Sequence, residues 1–209
     1  FASNLVTGDV IDFIQILGNV LDLGVPSDAT VSTAKIVDAN VTAAKMFSGF
    51  ANGITVADQW RLTAAVGASS SADITANLEK VDASGQGTLG TGMTESSGIF
   101  TFPSTGIYKV DANMQFSGSN SSRYCAVYIK LTTDNSTYNT RALNYTHLSI
   151  EDAGTSYSSV HTSTLVDVTN VSNVKVKFGQ QVADTSTNEV QGDTDYNRTY
   201  FTFIRLGDT

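Results

Sequence analysis

Alternating apolar and polar residues mark the middle of the chain as a half-buried β-strand. Pro103-Ser-Thr-Gly106 is a turn, because Pro presets φ and Gly supplies a backbone conformation that other residues adopt at a cost. After this turn, every second residue is apolar up to residue 116 and the intervening residues are polar. The apolar positions are Tyr108, Val110, Ala112, Met114 and Phe116.

Shorter segments of the same kind, separated by turn residues, predict further strands through residues 57–209. In one of them Cys125 is in phase with Val127 and Ile129, which predicts a small core residue and not a reactive thiol. The spacing is typical of a sandwich or barrel. Besides residues 106–116, the predicted strands cover 58–62, 74–81, 124–131, 142–150, 158–168, 173–178 and 198–207.

The last predicted strand is apolar on both faces. Phe201 and Phe203 share one face, whereas Tyr200, Ile204 and Leu206 share the other. A strand of this kind is covered on both sides, so one face meets the core and the other meets either an extra element of the same chain or another subunit. We predict that Tyr200, Phe201, Phe203 and Ile204 contribute to a subunit interface.

A ten-residue repeat precedes the predicted sandwich. Residues 31–40 (VSTAKIVDAN) and 41–50 (VTAAKMFSGF) match in register at Val, Ala and Lys, and Ile36 corresponds to Met46. A unit of this size cannot bury its own apolar face and needs identical neighbours. The pattern resembles the repeats that form shafts in bacteriophage fibres, so Ile36 and Met46 are further interface candidates.

The spacing from Phe100 to Gly106, Tyr108 and Val110 resembles the core of the C1q-like signature, although the family usually has Phe or Tyr where Val110 stands. The resemblance covers residues 57–209. It implies a two-sheet antiparallel jelly-roll sandwich related to the tumour-necrosis-factor fold, assembled as a homotrimer.

Composition narrows the classes of partner. The net charge of −8 leaves no basic stripe for nucleic-acid phosphates. The single cysteine excludes an internal disulfide framework. The apolar stretch of residues 10–25 contains polar residues and is too short to span a bilayer, so we expect no membrane insertion. The chain begins with Phe1, and we expect that something precedes it.

The residues that could carry chemistry are few. His147 and His161 are out of phase with the core and are interpreted as surface positions. Glu151-Asp152 and Asp193-Thr-Asp195 could offer oxygen ligands to Ca²⁺, but we favour solvated turns and no cofactor. Tyrosines in polar surroundings are the candidates for receptor contacts, because they offer rigid contact area and a hydroxyl. They are Tyr138, Tyr145 and Tyr157, with Tyr124 and Tyr128 in the same class.

These patterns together predict three segments: an anchoring or docking segment (1–30), extended or partly helical, a short repeat shaft (31–56) and a jelly-roll knob (57–209). They favour a bacteriophage fibre or spike protein on the virion surface. The knob would contact a host-surface glycan or protein, and residues 1–30 would dock on another virion protein or pack back as a flap. The alternatives are a secreted C1q-like binding module and, with less support from the scattered carboxylates, a fibre-borne glycan depolymerase.

Overall fold

The chain divides into two compact units, residues Phe1–Phe50 and Ala51–Thr209. The computed structural model describes residues 7, 8, 10, 31, 32, 34, 36–38, 40–42, 45, 46, 53–151 and 154–209. The predicted docking segment therefore lies almost entirely outside the described residues.

Among the described residues of the second unit there are thirteen β-strands, arranged in two antiparallel sheets. The strands are β1 (Ala57–Leu62), β2 (Val66–Gly67), β3 (Ala72–Asp73), β4 (Leu78–Lys80), β5 (Thr94–Ser96), β6 (Ile99–Thr101), β7 (Gly106–Gly118), β8 (Ser122–Thr132), β9 (Asn139–Leu148), β10 (Ser156–Val168), β11 (Lys175–Val182), β12 (Glu189–Val190) and β13 (Tyr200–Gly207).

The large sheet has the order β2-β12-β7-β13-β1-β4, with β10 paired along the whole of β7. The small sheet has the order β5-β6-β11-β8-β9, with β3 added at the end of β11. The long strands β7 and β8 follow each other in the chain but lie in opposite sheets, as do β9 and β10. The predicted two-sheet antiparallel jelly roll is confirmed.

Aromatic rings hold the two sheets together. Phe178 of the small sheet stacks on Phe201 of the large sheet, with centroids 3.8 Å apart and planes 6° apart. Phe100 meets Phe178 edge-to-face at 5.3 Å, and Trp60 meets Phe100 in the same way at 5.5 Å. Such pairs contribute about 0.5–1.5 kcal/mol beyond the area that they bury.

The turn before β7 requires its glycine. Gly106 has φ +137°, and a Cβ there would lie 2.5 Å from the carbonyl oxygen of Gly207 in β13. The next residues place Tyr108 and Val110 in the core, where both are fully buried. The motif from Phe100 to Val110 therefore serves packing and close approach of two strands.

One predicted strand, 74–81, is wrong. The chain there leaves the small sheet after β3, which pairs with β11, and enters the large sheet at β4, which pairs with β1. Asn77 takes φ +59° at the crossing, a conformation that ends a strand and that Asn tolerates better than most residues. Local alternation cannot reveal a change of sheet, because both halves remain apolar on one side.

The face of β13 that meets the core is the phenylalanine face. Phe201 and Phe203 are both fully buried within the single chain, so they are not available to a subunit interface as predicted. Tyr200 and Ile204 point to the outer side of the large sheet and are half-buried. Within β13 the interface prediction therefore stays a prediction for Tyr200 and Ile204, and it stays a prediction for Ile36 and Met46 of the repeat.

Candidate binding surface

The outer face of the small sheet gathers four of the five candidate tyrosines. Tyr124 and Tyr128 alternate with core residues along β8, so both point outward. Tyr145 of β9 lies opposite Ala126 and meets Tyr124 edge-to-face at 5.9 Å. Tyr138 precedes β9 and packs its ring against Lys177 of β11.

Tyr157 is the exception. It lies opposite Ser117 on the outer face of the large sheet, 58% exposed, and is separated from the other four by the thickness of the sandwich. We call the outer face of the small sheet the tyrosine–lysine surface. It comprises Asp73, Arg123, Tyr124, Tyr128, Lys130, Tyr138, Tyr145 and Lys177.

Asp73 is the electrostatic centre of this surface. Its Oδ1 lies 2.7 Å from Nζ of Lys130, and its Oδ2 lies 3.8 Å from Nζ of Lys177. Each ammonium also sits over a ring: Lys130 over Tyr128 at 4.8 Å and Lys177 over Tyr138 at 4.3 Å. Burial alone would lower the pKa of Lys130, but the hydrogen bond to Asp73 and the charges nearby raise it overall.

The tyrosines differ in what they can contact. Tyr128 is almost fully buried, because its ring lies against the backbone of Gly179, where a Cβ would stand 2.1 Å from the ring. It therefore forms the floor of the surface. Tyr145 is 53% exposed and presents a ring edge and hydroxyl to solvent. Burial, followed by the charges of Asp134 and Asp73, raises the pKa of Tyr138.

The carboxylate of Asp193 is already hydrogen-bonded to groups of its own turn. The Asp193 carboxylate accepts hydrogen bonds from the backbone N–H groups of Asp195 at 2.9 Å and Tyr196 at 3.3 Å, and from Nε of Arg198 at 3.3 Å. The Asp195 N–H is the main cause of its lowered pKa. In the part of the chain that the structure describes, no three His, Cys, Asp or Glu side chains are grouped for a metal ion. Asp152 lies outside that part, so the expectation of solvated turns without a cofactor, with Ca²⁺ as the less favoured alternative, stays a prediction.

Both histidines are exposed on strands, in agreement with their interpretation as surface positions. His161 lies 3.3 Å through Nε2 from the Asp111 carboxylate on the neighbouring β7. Lys109 lies 3.0 Å from the other oxygen of Asp111. The group is a surface ion-pair cluster in the middle of the large sheet.

The large sheet also carries a hollow of mixed polar and apolar lining that sequence reasoning missed. A pocket of about 320 Å³ lies between β1, β13 and residues 86–89, with Ala57, Ile204 and Leu89 among its walls. The loop beside it is fixed by the buried carboxylate of Asp58, which accepts hydrogen bonds from the Trp60 indole at 3.0 Å and other groups. The signal in the sequence was weak, because Asp58 reads as an ordinary polar residue of a first strand.

The described part of the repeat leaves its apolar residues in solvent. Val31 and Val41, which are equivalent in the repeat, are 53% and 52% exposed, and Ile36 is 42% exposed. Met46 is half-buried. These values hold for the single chain.

Among the described residues, no helix is both long enough and apolar enough to cross a membrane.

Comparisons with known proteins support the fold. No protein-family profile matches the chain, and no curated protein matches it. The crystal structure of murine APRIL at pH 5.0 is similar with a TM-score of 0.52 and 9% identity, over 72% of this chain and 98% of that chain. The structure of Eiger TNF from S. frugiperda gives a TM-score of 0.48 and 10% identity, over 76% and 96% of the two chains.

At this identity the match to APRIL shows the fold alone. The second unit is an all-β jelly roll of the C1q and tumour-necrosis-factor type.

Proposed function

We propose that this chain is a homotrimeric structural and adhesive protein of a bacteriophage fibre or spike. In this proposal residues 31–56 assemble with two further copies into a shaft, and the jelly roll of residues 57–209 forms the terminal knob. The knob contacts a glycan or protein of the host surface, and residues 1–30 bind another virion protein. The protein is located on the virion surface. The role is binding, not catalysis.

The observation that carries the proposal is the repeated exposure of apolar residues at equivalent positions. Val31 and Val41 stand ten residues apart and are each about half exposed in the single chain. Scattered exposed apolar residues are ordinary, but a periodic set is typical of a segment whose partners are copies of itself. A period of ten residues matches the resemblance to fibre shafts.

A second observation supports assembly of the knob. Ile204 lines the pocket on the outer side of the large sheet, and Lys109 separates it from Leu165, which is 64% exposed. Tumour-necrosis-factor-type folds form trimers, so this side of the sheet is the candidate for contact between knobs. Three knobs on one shaft would gain avidity for a surface that presents many receptors.

The experiment is the absolute mass in solution, by light scattering, of the full chain, of Val31→Glu/Val41→Glu and of Ile204→Glu. We expect three times the chain mass of 22.1 kDa for the wild type and dissociation in at least one variant. Leu143→Glu is the matched control, because Leu143 is also exposed but lies on the small sheet. A monomeric wild type would refute the proposal.

A secreted C1q-like binding module is the second candidate, and the fold itself favours it. It shares the knob and the tyrosine–lysine surface but not the shaft. Binding of labelled trimers to bacterial cells would support the fibre. Binding to no bacterial surface, together with a trimer that survives the Val31→Glu/Val41→Glu change, would favour the secreted module. Steady release of reducing ends from host polysaccharide would replace both with a depolymerase.

A further inference from the structure

A second hollow lies on the outer face of the small sheet, between the β5–β6 hairpin and β11. It has a volume of about 480 Å³, within the range of small-molecule sites, which is about 300–1,000 Å³. Four of its seven lining residues carry a hydroxyl group, and the other three are Glu95, Ile99 and Lys175. The four are Thr94, Ser96, Ser97 and Thr101.

The backbone holds this hollow in shape. Ser96 pairs with Ile99, so Ser97 and Gly98 form a two-residue hairpin loop, and their φ values of +52° and +79° are those of a type I′ turn. The N–H of Gly98 donates to Oε1 of Glu95 at 2.6 Å, so that carboxylate is engaged in closing the turn. The hydroxyls of the hairpin are therefore presented in fixed positions.

Lys175 supplies the charge. It lies opposite Thr101 on one side and Thr132 on the other, on the outward face of β11. None of the ion pairs among the described residues includes Lys175, whereas Lys177, two residues along the same strand, is engaged by Asp73.

We propose that this hollow binds a carboxylated sugar residue of an acidic polysaccharide, a ligand class that deepens the proposed role in surface recognition and rests on it. Lys175 pairs with the sugar carboxylate, and the hydroxyls of Thr94 and Thr101 exchange hydrogen bonds with the sugar hydroxyls. The tyrosine–lysine surface begins at Lys177, on the same outer face of the small sheet. The neighbouring sugar residues of the polysaccharide would therefore contact the tyrosine side chains of that surface.

The test is calorimetric titration of the full chain with tetragalacturonate, with its carboxyl-reduced tetrasaccharide and with a tetraglutamate peptide. We expect binding of tetragalacturonate that weakens as salt increases, and much weaker binding of the other two. Lys175→Gln should weaken the binding of tetragalacturonate about tenfold, because it removes one charge-assisted contact. Thr101→Val keeps the shape of the side chain but removes its hydroxyl, and it should weaken the binding of tetragalacturonate a few-fold.

Lys109→Gln is the control, because it removes the same charge from an exposed lysine of the opposite sheet. An equal loss in Lys109→Gln and Lys175→Gln would overturn the site, as would equal binding of tetraglutamate or no binding of tetragalacturonate. These results are separable from the proposed function: a trimer that binds host cells but is indifferent to Lys175→Gln refutes the sugar site alone. A monomer that binds tetragalacturonate through Lys175 refutes the fibre alone.

Discussion

Replacing Phe201 by alanine should destabilise the jelly roll, because this ring belongs to the core of a single chain. The ring is fully buried and stacks on Phe178 across the two sheets at 3.8 Å. A buried phenylalanine ring removes about 150–250 Å² from water, and Phe→Ala changes in cores cost about 3–5 kcal/mol. Since the free energy of unfolding of a domain is about 5–15 kcal/mol, this loss is a large fraction of the total.

Urea denaturation read by Trp60 fluorescence measures this loss directly. Trp60 is the single tryptophan and packs edge-to-face on Phe100, within the same aromatic cluster. With a slope of about 1–3 kcal/mol per molar urea, the midpoint should fall by about 2 M. The fall should be the same at every protein concentration, because the contact lies within one chain.

Tyr200→Ala is the matched control, since Tyr200 neighbours Phe201 but lies on the outward face. Its effect should be small, or should grow as the protein is diluted if the large sheet is a subunit interface. If Phe201→Ala lowered the free energy of unfolding by less than about 1 kcal/mol and converted a trimer to a monomer, the placement of this ring in the core would be refuted.

Three further changes test other parts of the structure. Asp58→Ala leaves the buried donors of Gln59, Trp60, Thr88 and Met93 without their acceptor, so we expect a loss of about 3 kcal/mol in the same urea titration. Gly98→Ala should cost about 2–4 kcal/mol in thermal unfolding, because φ is +79° and a Cβ would lie 2.2 Å from the Ile74 carbonyl oxygen, whereas Gly154→Ala, with nothing within 4 Å, should be neutral. The carboxylate of Asp134 accepts hydrogen bonds from the N–H of Thr137, the hydroxyl of Thr132 and the N–H of Ser136, which hold its pKa below the ordinary 3.8. Its contribution is therefore complete at neutral pH, begins to decline as the pH falls below about 4 and is lost only as the pH passes through the lowered pKa. The stability difference between wild type and Asp134→Asn should therefore be constant from about pH 7 to about pH 5 and narrow progressively below about pH 4, and a difference that stays constant down to about pH 2 would contradict this assignment.

The candidate surface shows what sequence patterns could and could not supply. The tyrosines were recognisable as a class, because they stand at polar positions of strands. Their grouping was not, since Tyr124 and Tyr145 meet only through the pairing of β8 with β9, and Tyr157 follows β9 closely in the chain yet lies on the other sheet. The hydroxyl-lined hollow did have a signal: the Ser97-Gly98 dipeptide is a turn pair. No sequence pattern indicated that Lys175, which is distant along the chain, lies beside this hairpin.

The sequence by itself determined the β class, the long alternating strand β7 and the burial of Cys125, because a period of two residues is a local property of an extended chain. Only the tertiary structure decided which face of β13 is the core, because both faces are apolar and the choice depends on the pairing of β13 with β1 and β7, which are distant along the chain. The tertiary structure placed the ring of Phe201 against that of Phe178 in the core and left Ile204 on the outer side of the large sheet. Pairing between distant strands, which no local pattern encodes, also decided that the tyrosines, Asp73 and Lys177 share one surface.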